Sequence, residues 1–210
     1  MAVKRRPRSL LLLTAALWLY VSGAVIAPVL METGHPGLAA SIYTLYSFAC
    51  HQLPQRSFFL FGERPFYSLE DLRARVGEER LPGYPWPRAF VGDPAIGWKL
   101  ALCQRDLAIY ATMALVATAM LLRPRSPRPL PLWVFFLIGM GPIALDGGSQ
   151  FLSYVLALLG PFHPRESTPL LRGITGALFG GTFAAAFFPR LWRAEVLLEE
   201  ERSSQEASGS

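Results

Sequence analysis

Charge is scarce in this chain: Asp, Glu, Lys and Arg make up 17% of its 210 residues, against 52% hydrophobic ones. Soluble globular domains carry about 25% charged residues, so this balance leaves more apolar side chains than a core of this size can hide. The excess must face lipid, and a soluble-domain function is excluded. The sequence also lacks an internal repeat, and with it the inverted-repeat signature common among secondary transporters. Proline and glycine are not lacking, at 18 each. They exclude a set of uniformly straight helices but not membrane helices, whose neighbours re-satisfy freed backbone groups.

The net charge of +5 takes its meaning from where the basic residues lie. Lys4, Arg5, Arg6 and Arg8 precede the first apolar run, Arg123, Arg125 and Arg128 separate two later runs, and Arg190 and Arg193 follow the last. This is the positive-inside pattern, so the charge encodes topology and not a nucleic-acid-binding face. The partner it implies is the lipid bilayer.

A hydrocarbon core of about 30 Å needs about 20 apolar residues to cross it as a helix. The hydropathy predicts an all-α integral membrane protein with about four transmembrane helices, over 10–30, 98–122, 130–146 and 170–188, and both termini cytoplasmic. Residues 1–9 form a basic leader and 10–193 a single polytopic membrane domain. The first run also has a signal-peptide look, with Ser22, Gly23 and Ala24 as small residues, but its apolar stretch continues to Leu30, beyond the usual h-region. An interfacial helix is expected near 37–50, where Leu38, Ile42, Leu45 and Ala49 recur at helical spacing. Residues 51–97 form the outer loop region. Within it Ser68 and Asp71 look like a capping box for a short helix to about Val76. The run Phe58 to Phe61 is expected to dip into the interface or pack on the bundle. Pro142 should bend the third span, and Asp146, Gly147 and Gly148 should end it. Residues 150–159 are too short to span and read as a half-inserted helix, and 194–210 as a disordered acidic, Ser-rich tail.

This threading brings Cys50, His51, Gln52, Arg56, Cys103, Arg105, Asp106, Asp146, Gln150, Arg165, Glu166 and Arg172 to one depth, on the outer side. Ionisable groups at membrane depth are costly and are paired or functional, so the convergence outweighs any single member. Cys103, Asp106 and Tyr110 share one helix face by their i, i+3, i+7 spacing. With Cys50 and His51, Cys103 and Asp106 supply the ligand types of a site for a zinc-like divalent ion. A Cys50–Cys103 disulfide and unpaired structural thiols are the alternatives, and spacing alone does not separate the three. The arginines read first as counter-ions for Asp106, Asp146 and Glu166, and second as a site for an anionic small molecule or lipid. Asp146 is the candidate base if a metal-activated water hydrolyses an ester there. Gly173, Gly176, Gly180 and Ala184 form a small-residue stripe for close helix packing.

Four motifs in order, CHQLPQRSFFLFG from Cys50, CQRDLAIY from Cys103, Pro-x-x-x-Asp-Gly-x-x-Gln from Pro142 and Arg-Gly-x-x-Gly from Arg172, resemble a family of prokaryotic membrane proteins known as domain of unknown function 2085. The resemblance implies a small polytopic protein of the prokaryotic cytoplasmic membrane and transfers no activity. Where family members look like Cys-x-Arg-Cys, this chain has Asp106 in place of the second cysteine. A Cys, His, Cys, Asp ligand set survives that change, with a preference shifted toward harder ions, and any bridge would have to join Cys50 to Cys103. Three functions stay open: a metal site with hydrolytic chemistry, a small carrier or flippase for an anionic solute stapled by a disulfide, and a membrane assembly factor.

Overall fold

The structure, a computed structural model, describes residues 7–83, 87–161 and 163–208. Lys4, Arg5 and Arg6 of the basic leader, and the last two residues of the tail, lie outside the described residues. The chain folds as two compact units, one comprising Met1–Trp18, Ala108–Ser167 and Ile174–Ser210, the other Leu19–Leu107 and Thr168–Gly173.

The first unit is helical. It takes the start of α1 (Arg8–Glu32), most of α4 (Gln104–Leu121), α5 (Leu132–Val134), α6 (Gly141–Leu159) and most of α7 (Pro169–Ser208). Among the described residues three helices are long and apolar enough to cross a bilayer: α1, the continuous stretch Leu132–Leu159, and α7. Their exposed residues include Leu12, Leu19, Leu137 and Leu170, each more than half exposed, as a lipid-facing surface requires. The core is built from Leu10 and Leu17 of α1, Ala114, Ala117, Met120 and Leu121 of α4, and Ala184, Phe188 and Trp192 of α7. A Cβ on Gly180 would lie 2.2 Å from the Ile109 carbonyl oxygen, so α7 meets α4 backbone to backbone. That is the close approach expected of the small-residue stripe. On the other side, Phe135 packs its ring against Phe179, Phe183 and Phe187 of α7, with centroids 5.6 to 5.9 Å apart.

Two expectations change here. The helix from Leu132 does not stop at Asp146, because Gly147 and Gly148 lie inside α6, which runs on to Leu159. Residues 150–159 are therefore its last turns and not a separate half-inserted helix. Pro142 has no N–H for an i→i−4 bond, and the preceding segment Phe135–Met140 is a π-helix in which the Gly141 N–H reaches Phe136 O. The loosened turn absorbs the proline without ending the helix. The tail differs too: α7 continues through the acidic segment to Ser208. Its Leu, Glu, Ala and Arg are strong helix formers, and Glu195 accepts the backbone N–H groups of Arg8 and Ser9 at 2.7 and 3.0 Å.

The second unit corrects the all-α expectation. Its centre is a three-stranded antiparallel sheet, in the order β1 (Ser57–Leu60), β3 (Gly97–Cys103), β2 (Gly92–Asp93). Residues Trp98 to Cys103, read as the start of a spanning helix, are the central strand, and the helix begins at Gln104. Lys99, Leu100, Ala101 and Leu102 are all at most 4% exposed. A strand buried on both faces reads as an unbroken apolar run, which periodicity cannot tell from helix. The first residues of the Phe58–Phe61 run form a strand paired with β3, Phe59 opposite Lys99 and Leu60 opposite Trp98. Residues Tyr67, Leu72, Val76, Leu81, Phe90 and Ile96 form a cluster with Phe59, so much of the outer loop region packs on a core of its own. Helix α3 (Leu69–Val76) carries the expected capping box, Ser68 accepting the Asp71 N–H while the Asp71 carboxylate accepts the Ser68 N–H. Helix α2 (Pro36–Tyr46) buries Ala39, Tyr43 and Tyr46 and leaves Leu38 and Leu45 exposed.

Gly97 holds φ at +81°, and a Cβ there would lie 2.2 Å from the Leu60 carbonyl oxygen. Gly97→Ala should therefore cost roughly 2 to 3 kcal/mol, from the left-handed backbone and the clash together. Ser68→Ala, which removes an exposed cap, should cost about 1 kcal/mol. Denaturant unfolding of the detergent-solubilised protein, followed by tryptophan fluorescence, checks both size and order.

Candidate metal centre

Cys50 sits just past the end of α2, where its N–H bonds to the Tyr46 carbonyl at 2.9 Å. The next turn is tightly specified. Gln52 has φ at +52°, an uncommon conformation for a residue with a side chain. Its Nε2 donates to Tyr43 O at 2.7 Å and its carbonyl accepts Lys99 Nζ at 2.6 Å. From there the chain enters β1, and register places Ser57 opposite Cys103. The strand pairing thereby carries Cys103 back to Cys50, whose sulfur accepts the Cys103 N–H at 3.3 Å.

Cys103 immediately precedes α4, and its own sulfur accepts the Asp106 N–H at 3.4 Å. It thus caps the helix as a Ser or Asp would. The ligand atoms of Cys50, Cys103 and Asp106 all lie within 4.8 Å of one another. Both cysteines are free thiols. Cys50 is buried, and Cys103 and Asp106 are half-buried. Of the residues named from sequence, these three come together. His51 does not join them: it is exposed, and its backbone carbonyl accepts Arg88 Nε at 3.0 Å. Tyr110 packs against the apolar core of α1, α4 and α7.

The two thiols are held in opposite directions. A hydrogen bond from the Cys103 thiol draws Cys50 below the ordinary thiol range, against burial and the Asp106 charge. Donating that bond, then burial and the two nearby negative charges, pushes Cys103 well above it. The hydrogen bond thus favours the thiolate on Cys50 and the thiol on Cys103. Two backbone N–H groups on sulfur and the start of α4 both favour negative charge here. Two sulfurs with one carboxylate oxygen are donors that suit a zinc-like ion.

Two neighbours were not legible. Lys99 is fully buried in β3, and its Nζ donates to Gln52 O and to Arg88 O, at 2.6 and 2.7 Å. Its solitary charge inside an apolar run was the available signal. Gln104, 1% exposed, donates to Ser57 O at 3.3 Å and accepts Arg172 Nη1 at 3.3 Å. The same Arg172 nitrogen reaches Gln55 O at 3.4 Å, so Arg172 fixes the segment between Cys50 and β1 against the start of α4. Gln55 is buried, with its Oε1 unpartnered. Arg56 and Arg105 are also engaged within the protein.

The remaining signature residues form a network in the helical unit. Asp146 Oδ1 pairs with Arg165 Nη2 at 3.0 Å and Oδ2 accepts Ser167 Oγ at 2.7 Å. Gln150 Nε2 donates to Glu166 Oε2 at 2.7 Å, and Tyr154 Oη donates to Glu166 Oε1. This fastens residues 165–167 to α6.

Residues 95–186 match the family described as "Predicted membrane protein (DUF2085)". Over that stretch the chain resembles the family its motifs suggested. The match takes in Cys103, Asp106 and Arg172, and Cys50 lies ahead of it. An uncharacterised protein of Methanocaldococcus jannaschii is 26% identical over 156 residues, 72% of this chain and 69% of that one. No solved structure matches.

Burial lowers the Lys99 ammonium to about 7. Between about pH 7 and its unfolded value of 10.5, the unfolded chain holds a proton there that the folded chain has released, so stability must rise with pH across that window. The stability difference between wild type and Lys99→Met should shift in favour of wild type from pH 7 to pH 10, as read by denaturant midpoints. A pH-independent difference would contradict the assignment.

Proposed function

We propose that this protein is a multi-pass membrane protein that binds a zinc-like divalent cation on Cys50, Cys103 and Asp106. The observation that carries the reading is the convergence of three acidic ligand atoms at the start of α4, each sulfur already accepting a backbone N–H. Metal binding would release thiol protons and offset the negative charge around Cys103. With three protein ligands the ion keeps a fourth position for water or substrate, as catalytic zinc sites do. Asp106 in place of a thiolate makes the site harder and its affinity lower than a three-cysteine site.

The proposed topology keeps four spans, with α4 as the fourth alongside α1, Leu132–Leu159 and α7. At 1.5 Å per residue its 18 residues reach about 27 Å, close to a hydrocarbon core. Its polar Thr112 and Thr118 bond within their own helix. Both termini then lie on the cytoplasmic side of a prokaryotic inner membrane and residues 51–97 on the other, in keeping with the arginine distribution. Hydrolysis with Asp146 as base gains little support, because both its oxygens already hold donors. The anion-carrier reading gains little from the signature arginines, since Arg56, Arg105, Arg165 and Arg172 all have protein partners. The assembly-factor reading rested on the Phe58–Phe61 surface, whose first residues lie in a strand.

Detergent-purified protein should carry about one zinc-like ion per chain by elemental analysis, and Cys50→Ser or Cys103→Ser should each abolish it. Asp106→Asn should lower affinity by about tenfold or more, whereas Asp106→Cys should raise it. After chelation, thiol titration should find both cysteines reactive. Metal-free protein with no titratable thiol would replace this reading by the Cys50–Cys103 disulfide.

A further inference from the structure

At the opposite end of α4 from the cysteines, within the helical unit, a cavity of about 430 Å³ opens between the residues after α4 and the continuation of α7. Its walls include Arg125, Ser126, Trp192, Arg193, Leu197 and Glu200. The volume falls in the range of small-ligand sites. We propose that this cavity binds the phosphate head group of an anionic phospholipid.

Depth is the first argument. From Pro169, α7 fills a hydrocarbon core of about 30 Å in about 20 residues, which ends the span near Phe188. Trp192 and Arg193 then stand at head-group level, and so does the arginine-rich segment that follows Leu121. The second argument is which cations are available. Arg190 is committed, its Nη1 donating to Leu130 O at 3.2 Å and to Ala186 O. Arg193 places one donor on Pro127 O at 3.2 Å and has others to offer. Arg125 is exposed and makes no hydrogen bond or ion pair among the described residues. Two guanidinium groups facing one head-group-sized space match a phosphate's oxygens. The third argument is the apolar side of the cavity. Leu197 is 59% exposed and Leu122 of the adjoining segment 74%, so a glycerol and acyl chain would cover apolar surface that a free phosphate leaves wet. Basic pockets between spanning helices are the usual place for such head groups. Glu200 is the one acidic residue of the wall, and it weakens the attraction.

Native mass spectrometry of the full chain in detergent, titrated with phosphatidylglycerol or phosphatidylcholine, tests this. Wild type should retain phosphatidylglycerol roughly tenfold better than phosphatidylcholine. The double variant Arg125→Gln/Arg193→Gln should lose that preference, and Arg64→Gln, on the sheet unit, should keep it. Glu200→Gln should strengthen phosphatidylglycerol retention by several-fold, a gain that stays measurable even if the double variant fails to fold. Unchanged preference in the double variant, no gain in Glu200→Gln, or displacement of the lipid by millimolar inorganic phosphate would each overturn the proposal. None of these residues belongs to the cysteine centre, so the result is independent of metal content.

Discussion

The sheet unit is organised around one buried lysine. Lys99 has no access to water, and an unpaired charge in that position costs several kcal/mol. The chain meets this demand by bringing two loops to it, one through Gln52 O and one through Arg88 O. In the first loop Gln52 holds a positive φ, and the chain turns just after Cys50. Tyr43 Oη adds a bond to the Lys99 backbone carbonyl, so α2 is fixed to the same strand residue. Cys50 is thus positioned by groups on either side of it, both tied to β3, and β3 also delivers Cys103.

The charges then follow from that placement. A lysine, two cysteines and Asp106 gather in one largely buried place, and the lysine's own proton is weakly held because burial outweighs the nearby Cys50 charge. A divalent cation on the sulfurs and Asp106 would balance the acidic side of this set without drawing on Lys99.

The parts of the fold legible from sequence are those set by local chemistry or by lipid. Runs of apolar residues marked α1, the helix from Leu132 and α7, and Ser68 with Asp71 marked α3. The sheet was missed because β3 is buried on both faces, so Trp98 to Cys103 carried no alternation, and because the phenylalanines of β1 looked like membrane contact. Gly147 and Gly148 were misleading for the opposite reason: glycine signals a helix end in water, whereas here the helix continues through both. The acidic tail looked disordered by composition, but Glu195 and the partly buried Val196 tie its first turns to the helical core. At the site, adjacency in sequence suggested His51, yet the turn that buries Cys50 points the chain so that His51 is exposed. Lys99 and Gln104 act through backbone carbonyls and a buried arginine, partners that only the folded chain supplies.

The arginines show why convergence in sequence and availability in structure are different tests. Arg165 faces Asp146, a carboxylate with 3% side-chain exposure, and Arg172 is itself 3% exposed and bonded to Gln55 and Gln104. A guanidinium in such a place is retained because removing it would strand buried acceptors, and its charge is already answered. Arg125 and Arg193 carry no motif and were read only as topology signals, yet they keep donors to spare at the depth where phosphates lie. A charge that orients a helix during insertion has no further obligation once the protein is folded, and is free to bind the lipid that surrounds it.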